Sequence, residues 1–574
     1  MPGSVGERIG STLRSAVPLV EWLPDYERSW LRRDVFAGIT VTASVIPEGL
    51  AYASLANLPP VTGLYAGLLA AATYVVCGTS RQVIVGPTSA LAILLATGVG
   101  TVAAGNAMSY GGLVVWTTVL VGLFGVVAWL LRLGFLVHFI SDSVLTGFAT
   151  GAALYIMSTQ LGPLLGIEGA GGVFFERLWY IGTNLGEASL LTAAVGLSGI
   201  VVLAVGEWGF PRVPVALLVV LASIWLSAGV DLQQRGVDIV GPIPSGLPSL
   251  TVPALPSSST LGALVPVSGA LFLLSYVQGI GAIETFAREH DYAVDANQEL
   301  LSVGVANLAA GFGGGFAVGG SMSRSALNDS VGGRTQIASA VVAAGLVVVL
   351  LFLTGVFTAL PETILAAVVV TAVTSLIDAA RLRRLAQASR TEFAIAVAVL
   401  LGVLGFGMLW GVFIGVFLSL VVVIARVSDP NTEVLERLPG TDTFVERDRH
   451  PTAEPVAGVF VYRVEAPLFY ANASGVRADL LDRLDAEDTA ASPISLVVFD
   501  LVSSPGMDVT AGETLGDLAA DLDDRGSALR VAGAEPSVVR LLETLDLDDH
   551  LGPVEEEESV SSVIQRWRDE CGKQ

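Results

Sequence analysis

Stretches without any charged side chain run through residues 34–430 and limit the fold of this chain more than any other feature. Ten of them lie between Gly49 and Ala425. A helix needs about 20 mostly apolar residues to cross the roughly 30 Å of hydrocarbon in a bilayer. Dividing the longer stretches at Gly, Pro and Asn residues, and adding the apolar stretch from Val35, predicts about fourteen membrane segments. We therefore expect a polytopic, all-α membrane domain.

Composition and charge divide the chain into a membrane part and a soluble tail. Apolar residues make up 53% and charged residues 14%, against roughly 25% charged residues in soluble domains, which excludes an ordinary soluble enzyme. Residues 1–430 hold 18 Arg and 23 acidic residues, whereas residues 431–574 hold 12 basic and 30 acidic residues. The predicted divisions are a cytoplasmic segment at 1–33, a transmembrane domain at 34–430, a linker at 431–455 and a cytoplasmic domain at 456–574.

The same composition argues against several kinds of partner. A strongly acidic chain lacks the basic stripe that binds nucleic acid. Its two cysteines, Cys77 and Cys571, provide no disulfide framework. Four scattered histidines show no metal-ligand spacing. We therefore expect no nucleic acid, no metal and no cofactor.

Arginine positions predict the orientation in the membrane, because cytoplasmic loops collect Arg and Lys. With fourteen crossings and a cytoplasmic N-terminus, only Arg177 and Arg235 face outside, and Arg324 lies within a membrane segment. Fifteen arginines then face the cytoplasm: Arg8, Arg14, Arg28, Arg32, Arg33, Arg81, Arg132, Arg212, Arg288, Arg334, Arg381, Arg383, Arg384, Arg390 and Arg426. This asymmetry predicts a multi-pass protein of the cell membrane with both termini in the cytoplasm.

Two of the predicted segments are too short to cross the membrane. After a Gly-Pro break, a helix from Thr88 to about Val99 spans only about 18 Å. After a glycine-rich stretch, a helix from Ser321 to about Val331 spans about 16 Å. Each is the third segment in its half of seven, and the repeat is inverted because seven is odd. Broken segments at matching places in two halves indicate a transport site.

The N-terminal ends of these two half-helices predict an anion site near the middle of the membrane. Each end offers N–H groups without helical partners and about half a positive charge. Ser89, Ser321 and Ser323 add hydroxyl donors, and Arg324 adds a fixed positive charge. Because a membrane-buried arginine is costly unless it is used, we favour anion binding. The alternative is that the serines cap their helices and Arg324 pairs with a membrane carboxylate for packing.

Glu48 is the other ionisable residue expected near mid-membrane, at about 21 Å of helical rise beyond Asp34. A carboxyl group at that depth can exchange a proton during transport. A structural hydrogen bond to the broken helix ends is the alternative role. The residue at the corresponding depth in the second half is nearer Gln278.

Four motifs resemble, in matching order, those of the sulfate permease family of anion transporters. They are PEGLAYASLANLPPVTGLYAG from Pro47, GTSRQVIVGPTSAL from Gly78, DANQEL from Asp295 and GGSMSRSALN from Gly319. The resemblance covers almost the whole chain. It implies a seven-plus-seven inverted repeat with a core and a gate, movement of the core against the gate, a C-terminal STAS domain and usually a homodimer.

Position by position, the resemblance implies an anion pocket on the first, third and tenth spans. Its members are Tyr52, Thr88, Ser89, Ala90, Ser321, Met322, Ser323 and Arg324, with Glu48 and Gln278 as coupling positions. Relatives often carry Gln where this chain has Glu48, which favours coupling to H⁺. Relatives often carry an acid where this chain has Gln278, so Na⁺ coordination loses its hard anionic ligand there.

The tail alternates strand and helix patterns and is similar to a STAS domain. Apolar strands are predicted in VAGVFVYRV, ISLVVFDL and ALRVAG, and helices near 473–487, 511–525 and 538–545. Buried strands alternating with helices indicate a small α/β layer fold. Phosphorylated STAS relatives carry a Ser after the loop aspartate, whereas Asp508 is followed here by Val509, which argues against that switch.

These features lead to the expectation of a secondary active transporter and not an enzyme. The predicted substrate is a small inorganic oxyanion, sulfate first, carried with H⁺ by an elevator-like displacement of the site. A bicarbonate, dicarboxylate or nucleobase carrier, an uncoupled exchanger or channel, and a sensor that binds without flux are the alternatives.

Overall fold

Fourteen helical segments occupy residues 31–428 in the computed structural model, which describes residues 17–135, 141–169, 171–210, 213–250, 252–487 and 493–571. The first seven are α1 Leu31–Leu55, α2 Val61–Cys77, α3 Ser89–Ala103, α4 Tyr110–Leu130, α5 Asp142–Leu165, α7 Leu190–Gly209 and α8 Val215–Val230. The second seven are α9 Ser258–Glu289, α10 Ala296–Phe312, α11 Met322–Ser330, α12 Ile337–Val348, α13 Glu362–Thr374, α15 Arg390–Phe406 and α16 Met408–Ser428. Two shorter helices are not counted among the fourteen. α6 Phe174–Thr183 follows α5, and α14 Ala379–Ala388 follows α13.

The helices fall into the core and gate groups that the resemblance to the sulfate permease family implies. In the core group, α4 packs on α10, α1 and α2 pack on α12, and α3 packs on α9. In the gate group, α5 packs on α13 and α15, and α7 packs on α13. Small residues allow the close core crossings, since a Cβ added to Gly125 would lie 2.7 Å from the Cα of Gly304. Seven of the described helices are long and apolar enough to cross a membrane, and the predicted fold class is confirmed.

The two predicted half-helices are both short in the structure. α3 has 15 residues and α11 has 9, which correspond to about 22 Å and about 14 Å at 1.5 Å per residue. α3 runs to Ala103, four residues beyond the predicted end. Of the arginines assigned to the cytoplasm, Arg8, Arg14 and Arg212 lie outside the described residues.

The tail belongs to a second compact unit, residues 420–574, with its own sheet and core. Its strands are β3 Thr432–Arg437, β4 Phe444–Glu446, β5 Val459–Val464, β6 Leu496–Asp500 and β7 Ala528–Ala532, in the order β4-β3-β5-β6-β7. Strands β5, β6 and β7 are parallel. The helices are α17 Ala473–Glu487, α18 Val509–Asp524, α19 Pro536–Thr544 and α20 Val560–Cys571. The alternating residues of each strand face α17, α18 and α19 on one side of the sheet and α20 on the other.

The segment 431–455, predicted as a linker, contains two strands of this sheet. β3 pairs antiparallel with both β4 and β5. Val434 and Leu435 are the buried apolar residues of β3, and charged residues flank them. Such a short apolar run does not show the pattern of a buried strand, so sequence periodicity missed it.

Hydrogen bonds to Asp479 join β3, β5 and α17. Its carboxylate accepts from Tyr462 Oη at 2.6 Å, Thr432 Oγ1 at 2.7 Å and Arg483 Nε at 3.1 Å. Burial raises the pKa of Asp479, but the hydrogen bonds from Tyr462, Thr432 and Arg483 outweigh it and lower the pKa below its usual value. The charged form is therefore the one that stabilises this unit.

Acid should loosen this part of the tail. A carboxyl group with a lowered folded-state pKa stabilises the fold above its usual pKa of about 3.9, and the contribution is lost as pH falls through the lowered value. Asp479→Asn should raise amide exchange in β3 and β5 several-fold at pH 7 and flatten its response to acid. Hydrogen-exchange mass spectrometry of the full chain, corrected for intrinsic rates, measures this. Asp485→Asn is the control, because Asp485 is 61% exposed in its pair with Arg525. Equal protection in wild type and Asp479→Asn would contradict the assignment.

Candidate functional site

Two short strands precede the half-helices and pair with each other. β1 Ile84–Gly86 and β2 Gly319–Ser321 are antiparallel, with Ile84 opposite Ser321 and Gly86 opposite Gly319. Extended backbone is tolerated at membrane depth only where its polar groups are satisfied inside the protein. The pairing satisfies part of that requirement and joins the two halves of the repeat.

Side chains from the second half satisfy the backbone that leads into β1. Ser325 Oγ accepts from the amide of Ile84 at 3.0 Å. Asn328 donates to the carbonyl of Gln82 at 2.9 Å. Gln336 Nε2 donates to two further carbonyls of this segment, at 2.7 and 3.0 Å. The approach to the first half-helix is therefore held by residues about 240 to 250 positions away in sequence.

Asn307 performs the same task for the approach to β2. Its Oδ1 accepts from the amide of Val318 at 3.0 Å, and its Nδ2 donates to the carbonyl of Val318 at 3.0 Å. Ser275 Oγ also donates to that carbonyl, at 2.6 Å. Asn307 is fully buried. The sequence-based prediction does not include Asn307, although an Asn between the apolar and small residues of the second half of α10 is a signal that marks it.

Capping positions open both half-helices. Thr88 Oγ1 accepts from the amide of Leu91 at 3.4 Å, and Ser321 Oγ accepts from the amide of Arg324 at 3.5 Å. These two hydroxyls therefore cap their own helices, and Ser321 is the one of the three predicted serines that occupies a capping position. The remaining amides of the first turns have no partner within the helix, so both ends keep donors and partial positive charge.

Arg324 lies at the junction of the two halves and is 1% exposed. Its Nη2 donates to the carbonyl of Pro87 at 2.7 Å. Its Nε and Nη1 are buried and have no hydrogen-bond partner among the residues that the structure describes. The guanidinium lies against β1, because a Cβ added to Gly86 would come within 2.9 Å of Nη1. Two charged N–H donors are thus available beside the helix ends.

Glu48 faces this guanidinium from α1. Its Oε2 lies 3.8 Å from Arg324 Nε, and Ser44 Oγ donates to its Oε1 at 2.6 Å. Two unit charges about 4 Å apart attract by about 4 kcal/mol at an effective dielectric constant of 20, while desolvation costs several kcal/mol for each ion. The attraction between the two charges is smaller than the free energy needed to bury both. A gain in stability therefore does not explain why both charges are present.

Other predicted pocket residues surround the helix ends. Tyr52 is 6% exposed, one turn beyond Glu48 on α1. Thr88 Oγ1 lies 3.4 Å from Oε1 of Gln278 on α9, so the position at the depth of Glu48 in the second half does reach the first half-helix.

The remaining predicted residues differ in accessibility. Ser89 and Ala90 begin α3 and are 7% and 1% exposed, and Ala90 has only its backbone amide to offer an anion. Met322 is 46% exposed, and Ser323 is also exposed. Ser321 and Ser323 place their hydroxyl oxygens 3.3 Å apart. The end of α11 is therefore open, whereas the end of α3 is enclosed.

Comparison with known sequences shows which family the chain resembles. The sequence pattern of the sulfate permease family matches residues 31–399, and that of the STAS domain matches residues 450–560. A probable sulfate transporter of Mycobacterium tuberculosis is 36% identical over 559 residues, covering 97% of this chain and 99% of its own. Probable sulfate transporter 3.4 of Arabidopsis thaliana is 28% identical and covers 94% of this chain and 86% of its own.

Solved structures share the fold. The murine solute carrier 26 family member A9 anion transporter, in its inward-facing state, gives a TM-score of 0.88 at 21% identity, with 99% of this chain and 96% of that chain covered. The transmembrane domain of the cyanobacterial bicarbonate transporter BicA gives a TM-score of 0.61 at 21% identity, with 68% of this chain and 98% of that chain covered.

Removing the side chain of Asn307 should destabilise the membrane domain. Asn307→Ala leaves the buried amide of Val318 without an acceptor, at a cost of about 1 to 3 kcal/mol. Thermal unfolding of the detergent-purified full chain, followed by tryptophan fluorescence, should show a lower melting temperature. In the control Asn106→Ala the lost bonds lie in a half-buried loop, where water replaces them. Equal melting temperatures for the two variants would refute the role of Asn307.

Proposed function

Because this chain belongs to the sulfate permease family, whose members are membrane transporters and not enzymes, we propose that it is a secondary active transporter of a small inorganic oxyanion, with sulfate as the first candidate. The observation that carries the proposal is the buried guanidinium of Arg324. Two of its nitrogens have no hydrogen-bond partner among the described residues, and they lie where two helices begin.

The donors at this place suit an oxyanion. Helix N-termini offer amides and a positive dipole, and guanidinium offers parallel N–H groups that match the oxygens of sulfate or a carboxylate. A nucleobase has little use for a permanent positive charge. The donor types do not distinguish sulfate from bicarbonate or a dicarboxylate, so competition between anions must decide among these substrates.

Glu48 supplies the coupling to H⁺ in this proposal. When ionised, its carboxylate neutralises Arg324 at 3.8 Å and repels an incoming anion. When protonated, it leaves the guanidinium charge to the anion. Proton and anion binding therefore favour each other by the same factor, as thermodynamic linkage requires. The chain moves the two together as a symporter.

The packing supports an elevator-like movement of the site. The helices that contribute site residues, α1, α3, α9 and α11, all belong to the core group. A site built within one group stays intact when that group slides against the other. We further propose that residues 34–430 form the transport domain of a homodimer in the cell membrane, with the N-terminal segment 1–33 and the STAS domain in the cytoplasm.

Radiotracer uptake into proteoliposomes tests the substrate. Wild type should take up sulfate saturably, with a panel of bicarbonate, dicarboxylates and uracil as competitors. Arg324→Ala should lower sulfate uptake at least roughly tenfold, since hydrogen bonds to charged groups contribute about 1.5 to 3 kcal/mol. Arg324→Lys keeps the charge and should retain more of the uptake. Undiminished sulfate uptake in Arg324→Ala would exclude this site, and uptake of uracil in preference to anions would exclude the substrate class.

Uptake at two external pH values tests the coupling. An inward proton gradient should accelerate uptake in wild type, because the protonated Glu48 no longer opposes the anion. Glu48→Gln mimics that form and should transport with little dependence on pH. Glu284→Gln is the matched control, because Glu284 is partly exposed and already pairs with Arg288 at 2.8 Å. The same pH response in wild type and Glu48→Gln would rule out the proton role.

A further inference from the structure

A cavity of about 410 Å³ separates the core helices α1 and α3 from the gate helices α5 and α13. Its volume lies in the range of 300 to 1,000 Å³ that is usual for ligand pockets. Several of its lining residues are polar: Ser54, Thr97, Thr159, Gln160, Arg177 and Glu362. The cavity is therefore suited to a hydrated or polar solute.

This cavity adjoins the proposed site from the side opposite the cytoplasm. Ala51, one of its lining residues, directly precedes Tyr52 and lies three residues beyond Glu48 on α1. Ile93, on the α3 wall, lies four residues after Ser89, which is about 6 Å of helical rise. With the N-terminus in the cytoplasm, both helices run outward in this direction. The cavity is thus placed as the outer approach to the site.

Arg177 brings a positive charge to the gate side of the cavity. It lies on α6 and is 7% exposed. Its Nη1 donates to Ser158 Oγ at 2.8 Å, its Nη2 donates to the carbonyl of Gly172 at 2.6 Å, and its guanidinium lies 5.1 Å from the ring centroid of Tyr155. Ser158 and Tyr155 belong to α5, so the guanidinium is oriented by the gate wall. A guanidinium keeps its charge at every physiological pH.

Glu362 brings a negative charge to the same gate wall of the cavity. It is the first residue of α13, and its side chain is exposed at the cavity. A carboxylate there opposes the entry of an anion, whereas Arg177 favours it. The two residues give the cavity a pair of charges whose effects on an anion have opposite signs.

We propose that Arg177 forms an outer binding position for the transported oxyanion, which captures the anion in the cavity before it reaches Arg324. This position rests on the proposed function, since it serves the same substrate. Charge of one sign within low-dielectric walls raises the local concentration of its counter-ion about tenfold or more, so removing Arg177 and leaving the carboxylate of Glu362 lowers the anion concentration in the cavity. Arg177 therefore sets the apparent affinity on the outer side, and the central site sets it on the inner side.

Side-specific transport kinetics test the outer position. The KM for external sulfate during influx and the KM for internal sulfate during efflux are measured at low and high ionic strength. Arg177→Gln should raise the influx KM about tenfold at low salt, leave the efflux KM unchanged and lose the salt dependence. Arg177→Lys should restore most of the affinity. Glu362→Gln should shift the influx KM in the opposite direction. Arg235→Gln is the control, because Arg235 is the other arginine predicted outside and is exposed.

Two outcomes of these kinetics overturn the proposal. Equal changes of influx and efflux KM in Arg177→Gln would mean a structural role for the residue. A shift of the same size in Arg235→Gln would mean a general surface-charge effect. Thermal unfolding of each variant checks that the fold is retained, and Arg177→Lys keeps the test valid if Arg177→Gln unfolds.

Equilibrium binding separates this proposal from the proposed function. In an Arg324→Ala background, radiolabelled sulfate should retain weak binding to the detergent-solubilised full chain, and adding Arg177→Gln should remove it. Identical binding in the single and double variants would exclude the outer position. Sulfate binding that persists in Arg324→Ala and is lost in the double variant, together with no sulfate flux in wild type, would instead exclude the transport function while leaving anion binding at Arg177 supported.

Discussion

The structure depends on one constraint: the N–H and C=O groups of extended backbone inside the membrane need hydrogen-bond partners from the protein, because no water is available there. The strands β1 and β2 meet it by pairing with each other, and their flanks meet it through side chains of the opposite half or of a neighbouring helix. Because unsatisfied polar groups are costly at this depth, neither half-helix has a stable start without the other repeat. The pairing therefore joins two distant parts of the sequence and, by the same geometry, places two helix N-termini beside each other.

The ion pair of Arg324 and Glu48 lies at that junction. One nitrogen of Arg324 donates to the carbonyl of Pro87, and another lies near the carboxylate of Glu48. A single side chain therefore contacts both the backbone of the first half and the carboxyl group on α1. The small net stabilisation expected of the buried pair alone is one reason why we propose that this guanidinium binds a solute instead of serving packing alone. The ionised carboxylate of Glu48 and a bound anion compete for the same guanidinium, so protonation of Glu48 favours anion binding, which is the physical basis of the proposed coupling. The outer position at Arg177 applies the same chemistry on the gate side.

Much of the membrane domain was predictable because its signals are local. A run without charges predicts a span, and a Gly-Pro break predicts a half-helix. The buried polar residues that hold the junction were not predictable in this way. Asn307 is one polar residue among the apolar and small residues of the second half of α10, and its partner Val318 belongs to the glycine-rich approach to β2. In the tail, long apolar runs predict β5, β6 and β7. β3 lies in the predicted linker, because only two of its residues are both buried and apolar.

The sequence by itself determined the membrane character of the chain, the number of its segments, the broken third segment in each half and the acidic α/β tail, because each depends on composition or periodicity within a short window. The tertiary structure alone decided that Arg324 reaches Pro87 and Glu48, that Gln278 meets Thr88 and that Arg177 is enclosed beside a cavity. These contacts join residues that are far apart in sequence or depend on how whole helices pack. Their distances are set by the packing of complete helices against each other, which no local pattern of residues contains.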